Sequence, residues 1–184
     1  MNKAGVYYAG IGSRETPPDV CRKMFAAGRT MAKLGFILRS GGAAGADEAF
    51  ELGVADAASE LNVSIREIAE IYLPWKGFRK NQSPLYGSCK RSRLLAKEFH
   101  PNWANVSPAG RDFHGRNMYQ ILGRNLDRPS SFVLCWTKDG AITGGTGQAL
   151  RVAQEYGIPI LNFACHDDQY ISDFILGEAE RMRG

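Results

Sequence analysis

The chain has 184 residues, 44% of them hydrophobic and 23% charged, with a net charge of +4. That length fits one α/β domain, expected to span 1–184, and the composition excludes a disordered chain, a coiled coil and a collagen-like fibre. No apolar run approaches the roughly 18 residues of a membrane-spanning helix. The opening MNKAGVYYAGIGSRE lacks the apolar stretch and cleavage site of a signal peptide, so a cytoplasmic protein with no membrane partner is expected.

Val6 to Ala9 read as a buried strand that runs into the glycine turn Gly10-Ile11-Gly12-Ser13. Thr16 is the expected cap of the next helix, with Pro17 at its first position. The stripe Val20, Met24, Ala27, Met31, Leu34 steps by four and three, and Gly35 ends that helix. Core packing is the favoured use of the stripe, a homo-oligomer interface the alternative. Phe36 to Leu38 form a second strand, followed by a helix over about 46–61. Ile71 to Leu73 read as a third strand. The stretch at about 76–108 is a basic insertion, irregular apart from a short helix at about 90–99. A helix over about 109–122, a strand at Phe132 to Trp136, and a glycine and threonine loop at 140–147 follow. A helix to Tyr156, a strand at 158–163, and a last helix carrying Ile171, Phe174, Ile175, Ala179 and Met182 complete the chain.

Strands alternate with helices, and the strands are continuously apolar. This predicts a Rossmann-like three-layer α/β fold with a mostly parallel sheet. Ligands of such sheets bind beyond the carboxyl ends of the strands. Four features fall there: Gly12-Ser13-Arg14, the run from Ser40-Gly41-Gly42-Ala43 to Asp47, Trp75, and Gly144-Gly145-Thr146. Glycine lets the backbone approach an anion closely, and a following helix aims N–H groups at it. Phosphates are expected on the amides at Gly12-Ser13, Gly42-Ala43 and Gly145-Thr146, with Arg14 neutralising charge. Asp47 is a candidate for a ribose hydroxyl or base edge, and Trp75 for stacking on a base. Glu15 occupies the place of the third glycine of a dinucleotide fingerprint, and no Gly-Lys-Ser/Thr follows any loop, so neither an ordinary NAD dehydrogenase nor a P-loop ATPase is expected.

The four cysteines and three histidines show no metal-ligand spacing, so reduced thiols, no metal and no other cofactor are expected. Between Lys76 and Lys97 lie seven basic residues and no acidic one, with Phe78 and Tyr86 among them. Such a run either tracks a nucleic-acid backbone, guards an anionic pocket, or is a solvated face. His114 reads as a plain surface or half-buried histidine.

The segments YAGIGSRETP, LRSGGAAGADEAFELG, IYLPWKGF, GRNMYQILG, CWTKDG and TGGTGQALRVAQEYGIPILN together resemble the SLOG superfamily. That group includes the DNA-processing protein A family of recombination mediators and the lysine-decarboxylase-like LOG nucleotide hydrolases. The chain is most similar to small DNA-processing-A-like SLOG proteins of bacteriophages, from about Val6 to Asn162. The resemblance implies a nucleotide-binding Rossmann-like fold, frequently paired into homo-oligomers. It carries over the G-S-R loop to Gly12-Ser13-Arg14, the S-G-x-A-x-G-x-D loop to Ser40 through Asp47, an R-N pair to Arg116-Asn117, and the LOG G-G-x-G to Gly144 through Gly147. Arg116 thereby becomes a candidate phosphate ligand. LOG hydrolases continue with a threonine and a catalytic glutamate, where this chain has Gln148 and Arg151. An arginine supplies no carboxylate for N-glycosidic cleavage, so non-catalytic binding is the favoured expectation. The ligand expected is a nucleotide-derived small molecule, a cyclic nucleotide or ADP-ribose-type signal, as a phage protein sequestering a host immune signal would take. The alternatives are single-stranded DNA binding as a recombination mediator, and an N-glycosidase with Asp47, Glu48 or Asp139 standing in for the missing glutamate.

Overall fold

The computed structural model describes residues 5–184; residues 1–4, included in the expected domain span and the opening segment, lie outside the described residues. The strands are β1 (Val6–Gly12), β2 (Phe36–Ser40), β3 (Ala69–Ile71), β4 (Phe132–Trp136) and β5 (Ile160–Asn162). They form one sheet in the order β3-β2-β1-β4-β5, every pair parallel. The helices are α1 (Pro18–Leu34), α2 (Ala46–Leu61), α3 (Ile65–Ile68), α4 (Lys90–Glu98), α5 (Pro108–Leu122), α6 (Gly144–Glu155) and α7 (Asp168–Arg183). The strand order reverses beside β1, which places the crevice of a doubly wound sheet between the ends of β1 and β4. No helix among the described residues is long and apolar enough to cross a membrane.

Two apolar layers sandwich the sheet, as parallel strands buried on both faces require. On one face Met24 and Met31 of α1, Phe50 and Val54 of α2, and Ile171 and Ile175 of α7 pack on Tyr8, Leu38 and Phe132. On the other, Met118 and Ile121 of α5 and Leu150 and Val152 of α6 cover Ala9, Val133 and Cys135, with Ala96 of α4 joining that layer. The stripe of α1 is therefore consumed by the core. Gly35 ends α1 in the left-handed conformation, φ 92°, with its N–H returned to the last carbonyls.

Four expectations need correction. Gly10, Ile11 and Gly12 are not a turn but the end of β1, paired with Leu134, Cys135 and Trp136. Thr16 does not cap α1: its hydroxyl donates to the Ser13 carbonyl at 2.7 Å, and Pro17 occupies the cap position. The third strand lies two residues earlier than expected. A capping box between Ser64 and Glu67 starts the short helix α3, and β3 pairs with β2 directly after it, Leu38 opposite Ala69. The apolar run that follows still continues the sheet edge, through Tyr72 N–H to Ser40 and a bridge from Leu73 to Tyr86. Finally, the glycine loop after β4 is half helix, because α6 begins at Gly144.

Candidate nucleic-acid interface

All the sequence-predicted site residues come to the carboxyl edge of the sheet, but their amides and side chains are not equally available. After β1, Ser13 is a structural knot. Its N–H donates to Trp136 O at 3.1 Å, its carbonyl accepts from Thr16 and from Ala46, and its hydroxyl accepts from Glu15 N–H at 3.0 Å. Gly12 is needed for close packing, since a Cβ there would stand 2.6 Å from the Ala46 Cβ. Arg14 is exposed.

After β2 the loop is filled from within. Gly42 N–H donates to Glu51 at 2.8 Å and Ala43 N–H to Asp47 at 3.4 Å. Arg116, reaching over from α5, donates to the Gly41 carbonyl and to Tyr72 O at 3.2 Å, with Asp47 Oδ2 3.7 Å from its Nη1. A Cβ on Gly41 would overlap this guanidinium. Ser40, Gly41, Gly42, Asp47 and Arg116 are all buried. Of the amides expected to cradle phosphates, those of Ser13, Gly42 and Ala43 are bonded inside the protein. Asp47 and Arg116 form a buried ion pair beneath the loop, with the guanidinium bonded to the Gly41 and Tyr72 carbonyls.

Burial holds the Asp47 carboxyl up at about 6, although Arg116 and the surrounding backbone N–H groups pull it down. Burial and the neighbouring Asp47 charge push Glu51 up to about 7. Both values exceed those of free carboxyls, near 4. The folded protein therefore keeps protons there that the unfolded chain has released, and the contribution of this pair to stability falls as pH rises from about 4.5 to 7. Thermal melts across that window are expected to show a downward slope that flattens in Glu51→Gln. An unchanged slope in the variant refutes this assignment.

The turn after β4 is open. Thr143 makes no side-chain cap, and Gly144 and Gly145 are exposed with empty space where a Cβ would stand. Uncapped N–H groups at the start of a 12-residue helix suit an anion. Asn117 Nδ2 donates to Gly145 O at 3.2 Å and faces Gln148 Oε1 at 3.4 Å, which fixes the turn to α5. The same Gln148 oxygen lies 3.3 Å from His114 Nδ1, and the Gln148 amide donates to Ala96 O. Arg151, at the position of the LOG glutamate, donates to Phe99 O at 2.8 Å and Ile142 O at 3.3 Å. It ties the insertion to α6.

Phe113 of α5 meets aromatic groups of the segment after β3 on this edge. Trp75, 43% exposed, sits edge-on against Phe78 at 5.2 Å and Phe113 at 5.1 Å between ring centroids. Phe78 and Phe113 meet at 5.4 Å, which closes a three-ring platform. Lys76 and Lys80 are exposed beside it, and Arg79 anchors the turn by donating to Gly42 O at 3.3 Å and pairing with Glu48. Arg79 and Lys80 both hold positive φ, 49° and 62°, an uncommon conformation for side chains of this kind. Across α5, Trp103 packs against His100 and His114 at 5.8 and 6.1 Å. Phe113 and Asn117 are one helical turn apart, so α5 joins the platform to the open turn of α6 within about 6 Å of helix rise.

Sequence reasoning missed Glu51, Phe113 and Trp103. Phe113 stands three residues before Arg116 and Glu51 four after Asp47, so helical spacing alone would place each beside a residue already singled out.

No protein-family model and no curated protein matches the chain. Among solved structures it is similar to DNA processing protein A from Helicobacter pylori, a structure described for its single-stranded DNA binding mode. The identity is 16% and the TM-score 0.48, over 85% of this chain and 64% of that one, so the chain spans less than two thirds of that protein's length.

Proposed function

We propose that the protein binds single-stranded nucleic acid along the carboxyl edge of its sheet. The observation that carries this reading is the Trp75–Phe78–Phe113 platform: a large indole, held by two other rings yet 43% exposed, on a segment that also carries the exposed Lys76 and Lys80. A base stacks on such a face whatever its identity, and cations track the backbone. The uncapped turn at Gly144-Gly145-Thr146 lies one helical turn along α5 and supplies N–H donors for a phosphate. Arg14, Lys76 and Lys80 supply charge without being consumed by the core. An open, aromatic and basic edge fits an extended strand better than an enclosed small ligand.

The test is fluorescence anisotropy with a labelled oligo-dT across salt. Trp75→Ala is expected to weaken binding about tenfold, given roughly 1–3 kcal/mol per stacked base. Lys76→Ala and Lys80→Ala are each expected to lower the salt slope by about 0.7, the value for one single-strand phosphate. Oligonucleotide binding that is no tighter than millimolar at low salt refutes the reading.

A second reading is favoured by the α6 turn alone: a small nucleotide-derived signal whose phosphate rests on Gly144-Gly145-Thr146, as SLOG resemblance and a phage sequestration role imply. It predicts affinity for a mononucleotide equal to that for a longer oligonucleotide. The N-glycosidase reading gains no carboxylate at the LOG position, because Arg151 there is engaged with two backbone carbonyls.

A further inference from the structure

A cavity of about 420 Å³ opens at the outer edge of the sheet, between β3, α3 and the segment 81–85. It lies off the Trp75 platform and within the size range of small-ligand pockets. The segment that walls it is held in place by side chains. Ser83 Oγ donates to Ile71 O at 2.6 Å and accepts from Leu85 N–H at 3.2 Å, and Arg66 donates to Gln82 O at 3.3 Å. One wall is apolar, from Ile65, Ala69, Ile71 and Leu85. The polar lining is Glu51, half-buried, with Arg66, Glu70, Asn81 and Gln82. Glu51 Oε1 is fixed by the Gly42 N–H at 2.8 Å, so the carboxylate is oriented before any ligand arrives.

We propose that this cavity binds a planar heterocycle presenting two adjacent N–H donors to Glu51, guanine being the nucleobase of that kind. A carboxylate accepts two parallel donors in a fork, and such bonds are the strong ones. Guanine offers N1–H beside its exocyclic amine. Adenine and cytosine each set a ring acceptor beside their amine, which would face the carboxylate lone pairs. Thymine flanks its single N–H with two carbonyls. The apolar residues cover a ring face, and the Asn81 side-chain amide, whose oxygen accepts from Ser83 N–H, can donate to a carbonyl such as guanine O6. This inference does not rest on the strand-binding reading, since the cavity lining and the Trp75 platform share no residue.

The charged groups around Glu51 are Asp47 on its own helix, Arg116 of α5, Arg66 of α3, and Glu70, which pairs with Arg39 at 2.8 Å. The forked contact needs Glu51 ionised, and burial with the Asp47 charge holds it near 7. Lowering the pH from 8 to 6 is therefore expected to weaken the contact about tenfold.

The experiment is calorimetry of the full chain with GMP and with AMP at pH 8, joined to amide chemical-shift mapping. GMP is expected to bind at least tenfold more tightly than AMP and to shift the amides of 65–71 and 81–85. Glu51→Gln keeps an acceptor for Gly42 N–H and is expected to abolish the preference for GMP over AMP. Equal affinity for both nucleotides, no heat at millimolar GMP, or shifts confined to the α6 turn each overturn the proposal. Mapping on the unmodified protein keeps the test decisive even where the variant folds poorly.

Discussion

Replacing Arg116 with alanine is expected to cost about 3–5 kcal/mol of folding stability, the penalty for leaving one partner of a buried ion pair behind. Arg116 is 5% exposed, and its guanidinium serves three groups at once: Gly41 O, Tyr72 O and the Asp47 carboxylate. Without it two carbonyls lose a donor, and Asp47 and Glu51 face each other with no cation between them. Lysine keeps the charge but lacks the fork that reaches two carbonyls, so Arg116→Lys is expected to recover only part of the loss. Urea denaturation of both variants reads the difference. A cost under 1 kcal/mol for the alanine variant would show that the pair is not structural, and would return Arg116 to the ligand site. A cycle with Asp47→Ala separates the two roles, because members of one buried network are non-additive.

The fold was legible because the chain alternates apolar strands with amphipathic helices, and both patterns are carried by core residues that cannot be polar. Ala46 to Leu61 and Phe132 to Trp136 follow residue for residue, while β2 runs two residues past the expected Phe36 to Leu38, through the buried polar Arg39 and Ser40. The error at β3 has a physical cause. Tyr72 and Leu73 are as apolar as a strand, but the pairing register with β2 was set by α3, a four-residue helix too short for periodicity to reveal. The site was legible as a place and less so as a set of roles. The glycine loops do converge at the carboxyl edge. Which amides stay open depends on long-range bonds, Ser13 to Trp136, Gly42 to Glu51, Arg116 to Gly41, and no local pattern encodes them. An arginine beside a glycine loop reads the same in sequence whether it waits for a phosphate or already holds the loop.

Gly53→Ala bears on how that edge is held. Alanine is the better helix former by about 1 kcal/mol, so on an isolated helix the change would stabilise. In the fold α1 crosses α2 with the backbones nearly touching. A Cβ at Gly53 would overlap Phe25 O of α1 and stand 2.9 Å from Phe25 C and 3.0 Å from Arg29 N. Gly28 on the other helix repeats the contact, with Phe50 O 2.8 Å from its Cβ position. These neighbours are backbone and cannot rotate away, so the helices must part and forfeit the packing of Met24 and Phe50 around the crossing. Overpacking of this kind costs about 1–3 kcal/mol or more, and with no flexible neighbour the upper end is expected, leaving a net loss of about 2 kcal/mol. The first turns of α2 carry Asp47 and Glu51, so a shifted α2 would also loosen the bonds to Ala43 and Gly42. The variant is therefore expected to lower the melting temperature and, in the same protein, to raise amide exchange at 42–43. A stable variant with unchanged exchange would show that the glycine crossing does not position the site.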